Sequence, residues 1–374
     1  MKRLNVLFIN ISISLISILF GVFIAEFFLN KLSKKETVWN SFEQYIKLEQ
    51  HAPSIKKEVS PSNIYQRQAD ALDMKRKYYI QTDESGSIVN PQDKNTFYDD
   101  ELLDIVFLGG STTENMFISE NMRFPALVTK KLNQIDYCGI NSCRVLNSGA
   151  SGRIIPASIN VFLNRYLVLR PKKAVLMHNI NDLNYLLLGN KYWQSERHIE
   201  YIYRYPLFKL NSYTRTLASV FPNLYGLFAR TYLTYYEMRD GYFENEQKNL
   251  IKKIPIKVEE NLTDRFIEVL DVFINICKIN NIEPILMTQP SRFSDKTIEK
   301  LYVNFLPGVT FQEIERLHKK FNQIIRDYSY KGVRIIDLEN SVPANNQYYL
   351  DAVHFSENGN KLAAEIIFDQ LIKK

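Results

Sequence analysis

The sequence predicts an α/β fold, a three-layer αβα sandwich with a five-stranded parallel sheet of the flavodoxin-like type, plus an N-terminal transmembrane helix. Three observations predict it. A long apolar segment opens the chain, short β-rich runs then alternate with amphipathic helical patterns, and clusters of glycine, serine and asparagine follow those runs. Such alternation is typical of parallel strands covered by helices on both faces.

The segment at residues 6–29 is nearly all apolar, with lysine or arginine on both sides. A spanning helix needs about 20 such residues, whereas a signal-peptide core has roughly 7 to 15. No small-x-small cleavage site follows, so we expect an uncleaved, single-pass membrane anchor at 1–31 rather than a cleaved signal or a buried helix. The basic flanks are nearly balanced, and we expect the N-terminus inside and the body outside the cytoplasm.

Residues 32–100 are polar and interrupted by prolines, which predicts a stalk and a lead-in region. The fold proper is predicted at 101–374, with an aromatic-rich insertion at about 185–260. That insertion fits a lid, an acceptor groove or a surface resting on the membrane, and a self-contained helical subdomain fits it as well.

The predicted strands are 105–108, 144–147, 174–177, 283–288 and 333–338, and the predicted helices are 124–132, 155–167, 264–279, 311–328 and 357–372. Ligands of open parallel sheets bind at the carboxyl ends of the strands. The polar motifs of this chain follow such ends or precede the final helix, which predicts a site there.

Composition narrows the function classes. The net charge of +6 fits work near anionic lipids or surface polymers, while the dispersed lysines do not indicate nucleic-acid binding. Cys138 and Cys143 share a predicted loop, where they form either a small disulfide in an oxidising compartment or two free thiols; Cys277 is predicted in the core. Without a CxxC pair or an HExxH motif, neither a metal nor another cofactor is predicted.

The first polar motif is Asp104-Ile-Val-Phe-Leu-Gly-Gly-Ser-Thr-Thr-Glu114, an apolar strand that ends in two glycines before a serine. Ser111 either caps the following helix, together with Glu114, or acts as a nucleophile at a strand-to-helix turn. A phosphate loop is disfavoured because no Gly-Lys-Ser/Thr follows.

Three more motifs follow along the chain: Asn147-Ser-Gly-Ala-Ser-Gly152, His178-Asn-Ile-Asn-Asp182 and Asp351-Ala-Val-His354. The glycines let backbone N–H groups approach a bound oxygen, an asparagine amide can donate to an oxyanion, and a histidine beside a carboxylate can deprotonate a serine. Each motif alone is also ordinary loop chemistry.

Together, in this order, the four motifs resemble the SGNH (GDSL-type) hydrolase family over about residues 104–370. The segments 287–290 and 349–359 resemble it too. The resemblance implies that Ser111 is the nucleophile, His354 the general base and Asp351 the residue that orients the histidine.

The resemblance also implies an oxyanion hole made by the backbone N–H groups of Ser111 and Gly152 and by the side chain of Asn181. Gly152 is preferred because it ends the run that starts at Asn147, and Gly149 is the alternative.

Two positions depart from the family pattern: Gly-Gly-Ser replaces Gly-Asp-Ser, and Asn179-Ile-Asn-Asp replaces Gly-x-Asn-Asp. Both resemble variants in membrane-anchored members that act on cell-surface glycans.

Other polar residues have competing interpretations. His178 is an alternative base, although a supporting role in the core is favoured, and Asp182 is expected to fix its loop. Arg153 is a candidate contact for an anionic or sugar group. The remaining histidines are predicted at the surface: His51, His198 and His318.

The sequence therefore predicts a serine esterase or O-acyltransferase that acts on acyl esters, in the first place acetyl esters, of a cell-surface carbohydrate through an acyl-enzyme. The expected partners are such an ester substrate and the membrane. A lipid esterase or lysophospholipase is an alternative, and a non-catalytic glycan-binding module in surface-polymer assembly is another.

Overall fold

The structure is a computed structural model that describes residues 2–32, 48–61, 69–89, 103–139, 142–189, 192–193, 220–221, 223–224, 227, 262–301 and 309–373. The chain divides into two compact units, one of Met1–Lys47 with Glu196–Lys253 and one of Leu48–Ser195 with Ile254–Lys374. Most of the insertion at about 185–260 lies outside the described residues, as does His198. The division into residues 1–31, 32–100 and 101–374 stays a prediction.

The strands are β1 (Lys56–Val59), β2 (Tyr78–Gln81), β3 (Ile105–Gly109), β4 (Val145–Gly149), β5 (Lys173–Met177), β6 (Glu283–Met287) and β7 (Arg334–Ile336). β1 and β2 form an antiparallel pair. The other five form one sheet in the order β4-β3-β5-β6-β7, and every neighbouring pair is parallel. The predicted five-stranded parallel sheet is confirmed, and its order is that of flavodoxin-like folds.

The described α-helices are α1 (Lys2–Leu32), α2 (Ser111–Glu114), α3 (Phe124–Gln134), α4 (Ile155–Val161), α5 (Ile180–Leu187), α6 (Leu262–Ile279), α7 (Phe311–Asp327) and α8 (Glu357–Ile372). Apolar residues of α4 to α7 pack on one face of the sheet, and those of α3 and α8 on the other. Along β3, Val106 and Leu108 face the first layer while Ile105 and Phe107 face the second. This alternation produces the predicted three layers.

The predicted anchor segment forms the single helix α1. Within the described part of the chain, no helix is both long and apolar enough to cross a membrane, so the predicted transmembrane helix is not confirmed. In the unit that contains α1, Glu26 accepts hydrogen bonds from the backbone N–H groups of Asn223 and Leu224, both at 2.8 Å.

The cysteines form one disulfide and one buried thiol. Cys138 and Cys143 are joined, which realises the first of the two predicted alternatives, and Cys277 is buried as predicted. Asp104 lies close to both sulfurs. Because metal binding needs thiolates, the disulfide leaves this group of three without sulfur ligands.

Candidate active site

Ser111 lies at the junction between the central strand β3 and the short helix α2. A Cβ at Gly109 would lie 2.1 Å from the Thr113 hydroxyl oxygen, so the turn requires glycine there. The N-cap of α2 is Gly110, and no side-chain hydrogen bond caps this helix. The capping interpretation of Ser111 is therefore wrong, and its hydroxyl points elsewhere.

The hydroxyl of Ser111 contacts the imidazole of His354. His354 Nε2 lies 2.7 Å from Ser111 Oγ, and His354 Nδ1 lies 2.6 Å from Asp351 Oδ2. The other oxygen of Asp351 accepts the backbone N–H groups of Val353 at 2.9 Å and His354 at 2.8 Å. The carboxylate is thereby fixed, and it orients the ring so that Nε2 faces the serine.

His354 and Asp351 shift each other's pKa. Burial alone would lower the pKa of His354, but the charge and hydrogen bond of Asp351, together with the charge of Glu114, raise it above its ordinary 6.5. Burial raises the pKa of Asp351, but His354 and the two backbone N–H groups outweigh burial and lower it. The pair therefore favours a carboxylate beside an imidazole of increased basicity.

The loop that carries Asp351 and His354 is anchored on both sides. Ser356 caps α8 by accepting the Gly359 N–H at 3.1 Å, and the Arg292 N–H donates to the Ala352 carbonyl at 2.8 Å. The buried Arg292 side chain also binds both oxygens of Asp70, at 2.7 and 3.0 Å. The segment 69–89 thus helps to hold the loop that carries Asp351 and His354.

The predicted oxyanion donors lie around the same serine. Gly152 has a φ of +76° in an exposed turn after β4, a conformation that favours glycine. Among the described residues, the backbone N–H groups of Ser111 and Gly152 have no protein acceptor. Asn181 lies in the first turn of α5, so close to Gly110 that a Cβ on Gly110 would lie 2.5 Å from Asn181 Nδ2. The same Nδ2 donates to the Arg153 carbonyl at 3.0 Å. One amide hydrogen is thereby fixed and the second is left for a ligand.

Two sequence interpretations are wrong at this loop. The Gly149 N–H donates to Asn147 Oδ1 at 2.9 Å, so Gly149 is not a free donor and the alternative oxyanion residue is excluded. Arg153 is fully buried, and its guanidinium donates to Ser148 and to the Glu49 carbonyl. It therefore braces the loop and does not face an anionic or sugar group.

Gln289, which follows β6, connects α2, the helix of Ser111, with α5, the helix of Asn181. Its Nε2 donates to Thr112 Oγ1 at 2.8 Å, and its Oε1 accepts the Ile180 N–H at 2.8 Å. The sequence indicated the segment 287–290 without a role. Its place after a strand is the signal that could have identified Gln289 as a support of the site.

A second serine, histidine and aspartate meet elsewhere in the same unit. His178 Nε2 lies 2.8 Å from Ser158 Oγ, and His178 Nδ1 lies 3.2 Å from Asp182 Oδ2. All three are buried, and Asp182 Oδ1 also accepts the Ile155 N–H at 3.0 Å. The group ties the starts of α4 and α5 together, which is the structural role favoured for His178 and Asp182.

The other predicted surface histidines differ from expectation. His318 is buried in α7 with 1% of its side chain exposed, so the surface prediction is wrong, and burial lowers its pKa to about 3. His51 is partly buried, and its Nε2 lies 2.8 Å from Glu114 Oε1.

A small cleft with about 10 Å³ of free space opens above Ser111. Ser111, His354 and Ser151 lie on its polar side, and its apolar wall consists of Met116, Phe117, Ile118, Leu350 and Phe355. An ester carbonyl placed here would meet the serine hydroxyl and the loop of Gly152 together.

The fold and the site together define an αβα-sandwich protein with a Ser-His-Asp triad whose serine and histidine are partly exposed. The sequence matches no protein-family model and no curated protein. The similar solved structures include a lipase/acylhydrolase from Enterococcus faecalis, with 16% identity, a TM-score of 0.39 and coverage of 72% of this chain and 95% of that one. An acetylxylan esterase from Geobacillus stearothermophilus has 13% identity, a TM-score of 0.43 and coverage of 73% and 96%.

A third similar structure is a protein from Desulfitobacterium hafniense described as lipolytic and of the G-D-S-L family. It has 14% identity and a TM-score of 0.39, with coverage of 71% of this chain and 98% of that one. At these identities and TM-scores the likeness carries no argument, so the chemistry is argued from the residues of this chain.

Proposed function

We propose that this chain is an SGNH-type serine esterase that cleaves acyl esters through an acyl-enzyme, and that it transfers the acyl group when an acceptor hydroxyl replaces water. The observation that carries the proposal is the 2.7 Å contact between Ser111 Oγ and His354 Nε2, continued by the 2.6 Å contact to Asp351. An accessible serine held in this way is an activated nucleophile.

The reaction follows from the positions of these groups. Ser111 Oγ attacks the ester carbonyl carbon while its proton passes to His354 Nε2, and the carboxylate of Asp351 stabilises the imidazolium. The N–H groups of Ser111 and Gly152 and the amide of Asn181 receive the oxyanion. His354 then protonates the leaving alcohol, and a water or sugar hydroxyl, deprotonated by His354, releases the acyl group.

We propose short acyl groups, in the first place acetyl, on a surface carbohydrate as the substrate. The free space above Ser111 is about 10 Å³, roughly the room that one water molecule needs, which supports a short acyl group. The apolar wall formed by Met116, Phe117, Ile118 and Leu350 is what favours the second candidate, a lipid esterase for longer acyl chains.

We also propose that the catalytic unit works outside the cytoplasm, attached to a membrane through α1. The disulfide between Cys138 and Cys143 supports an oxidising compartment. In the described part of α1, large apolar side chains are exposed, with Ile16 at 65% and Phe20 at 66%. Carbonate extraction and labelling of cells with an impermeant reagent would test this proposal; extraction into the aqueous fraction would contradict the attachment.

Turnover of activated esters tests the enzymatic proposal. The full-length protein in detergent is incubated with 4-nitrophenyl acetate, butyrate and octanoate, and wild type is compared with Ser111→Ala and with Ser158→Ala. The control removes the hydroxyl of the buried second constellation, so we expect Ser111→Ala to abolish turnover and Ser158→Ala to retain it.

The chain-length series separates the candidates. The highest kcat/KM on acetate supports the carbohydrate-type esterase, while a preference for octanoate supports the lipid esterase. Equal rates of wild type and Ser111→Ala on every ester would favour the non-catalytic glycan-binding module.

A further inference from the structure

A carboxylate that the proposed reaction does not use lies three residues after the nucleophile. Glu114 ends α2, and only 1% of its side chain is exposed. Its Oε2 accepts a hydrogen bond from Ser151 Oγ, and its Oε1 lies 2.8 Å from His51 Nε2. Burying a carboxylate is costly unless partners compensate, so this placement calls for a specific role.

Two buried guanidinium groups supply positive charge near Glu114. Arg123 and Arg153 are both almost fully buried. Burial lowers the pKa of each arginine, to about 10 for Arg123, while the charge of Glu114 acts in the opposite direction. The carboxyl group of Glu114 therefore lies near two guanidinium groups that come from outside α2.

The contact with Ser151 depends on the close approach of two backbones. A Cβ at Gly149 would lie 2.2 Å from the Glu114 backbone nitrogen, so the end of β4 can meet α2 only through glycine. The chain then turns, and the Ala150 N–H donates a hydrogen bond to the Gly109 carbonyl at 3.2 Å. Ser151 is thereby placed over the end of α2, within reach of the carboxylate.

The turn that carries the Gly152 N–H is otherwise exposed. Ser151 and Gly152 both lie at the surface, and a Cβ at Gly152 would meet no atom within 4 Å. Exposed turns with few contacts open easily. The bond from Ser151 to Glu114 ties this turn to the helix of the nucleophile.

The N-terminal part of the same unit supports Glu114 from the other side. Arg153 Nε donates to the Glu49 carbonyl at 2.6 Å, which holds the segment of His51 against the loop. A Cβ at Gly86 would lie 2.5 Å from the His51 carbonyl oxygen, so the turn after β2 packs directly on this segment. The segment of His51 is thus held on both sides, and His51 Nε2 lies close to Glu114 Oε1 without the geometry of a hydrogen bond.

We propose that Glu114 and His51 are positioning residues that hold Ser151, and through it the Gly152 N–H, where the oxyanion forms. The inference rests on the proposed esterase function. It adds to the proposed site two residues that act through the Gly152 N–H. Oxyanion donors act only when they are held in place before the reaction, within about 0.5 Å of the productive geometry.

A double-mutant cycle on the full-length protein tests the inference, with 4-nitrophenyl acetate as substrate and unfolding midpoints measured in parallel. We expect Glu114→Ala and Ser151→Ala each to lower kcat by about 10-fold to 100-fold with little change in KM, since a displaced donor costs less than the ~10²- to 10³-fold of a deleted one. The double variant should lose no more than Glu114→Ala alone, because both substitutions break the same contact.

Conservative and control variants separate positioning from general stability. Glu114→Gln keeps an acceptor for Ser151 and should recover most of the kcat lost in Glu114→Ala. The control is Glu283→Ala at the start of β6, which removes a carboxylate paired with Lys173 and Arg334 at the opposite end of the sheet and should leave kcat unchanged.

A pH profile gives a readout that does not depend on the folded fraction. Among the described residues, Asp351 and Glu114 are the charged groups that raise the pKa of His354, so Glu114→Gln should move the acid limb of kcat/KM to lower pH. His51→Gln, which keeps the carboxylate, should move it less than Glu114→Gln does and lower kcat.

The outcomes distinguish this inference from the proposed function. Additive losses in the double variant, losses confined to KM, or a Glu114→Gln variant as impaired as Glu114→Ala would overturn the positioning role. Wild-type turnover that survives Ser111→Ala would instead overturn the proposed function.

Discussion

Replacing Asp351 with asparagine tests the triad through the position of a single proton. Asp351 Oδ1 accepts two backbone N–H groups, from Val353 and His354, while Oδ2 faces His354 Nδ1. An asparagine has one acceptor oxygen. If that oxygen keeps the backbone bonds, its NH₂ faces Nδ1 and moves the imidazole proton to Nε2, which then cannot accept the proton of Ser111.

The magnitude follows from the alternative orientation. Turning the amide restores the acceptor toward Nδ1 but gives up both backbone hydrogen bonds, at about 1 to 1.5 kcal/mol each. The resulting 2 to 3 kcal/mol corresponds to a loss of roughly 30- to 150-fold in rate. Loss of the negative charge beside the imidazolium adds to this, and the corresponding substitution in a Ser-His-Asp protease costs about 10⁴ in kcat. For Asp351→Asn we expect a loss between these limits.

The assay is the steady-state hydrolysis of 4-nitrophenyl acetate by wild type and Asp351→Asn at pH 8. Thermal unfolding of both proteins checks that the variant is folded, and Glu283→Gln, a substitution in the ion pairs with Lys173 and Arg334 at the opposite end of the sheet, is the control. A kcat for Asp351→Asn within 10-fold of wild type, in a folded variant, would refute the role of Asp351 in fixing the tautomer.

Three further predictions concern the donor, the base and the disulfide. Asn181→Ala should lower kcat by on the order of 10²- to 10³-fold, whereas Asn184→Ala on the same helix should stay near wild type in the same assay; similar rates for both would remove Asn181 from the oxyanion hole. Because His354 must be neutral to accept a proton and its pKa is raised, kcat/KM should increase with pH through a midpoint above 6.5, and a midpoint below that value would contradict the pairing. Replacing both Cys138 and Cys143 with alanine should lower the free energy of unfolding by about 2 kcal/mol, measured with urea, since the closed loop is short; an unchanged midpoint would argue that the loop is already ordered without the bond.

The alternation along the chain was sufficient to predict the sheet. In β3, β4, β5 and β6, nearly every residue is buried because both faces are covered, so the strands appear in the sequence as short apolar runs. Ser111, Gly152, Asn181 and His354 all follow strands or precede α8, which is why motif order alone brought them to one edge. The short motifs therefore predicted most of the residues that lie around Ser111.

The supporting contacts could not be predicted, because they join residues with no shared pattern. Glu114 looked like a capping partner of Ser111, but its carboxylate is used by Ser151 and His51. The burial of His318 could not be predicted for a similar reason, since its polar neighbours in the sequence of α7 resemble a solvated face. Side-chain direction and burial in such cases depend on tertiary packing, which hydrophobic periodicity does not encode.

The distance along the chain between the proposed nucleophile and its proposed base has a consequence for when the proposed activity would arise during folding. Ser111 and His354 are 243 positions apart, and Asn360 of α8 joins the same region by accepting the Phe124 N–H, 236 positions away. Such contacts form only after the intervening chain has collapsed, and they contribute to slow folding. During synthesis the serine emerges long before its base, so a growing chain carries an inert hydroxyl. Ester cleavage should therefore appear together with the last cooperative step of folding, and its recovery after dilution from denaturant should follow the slowest refolding phase.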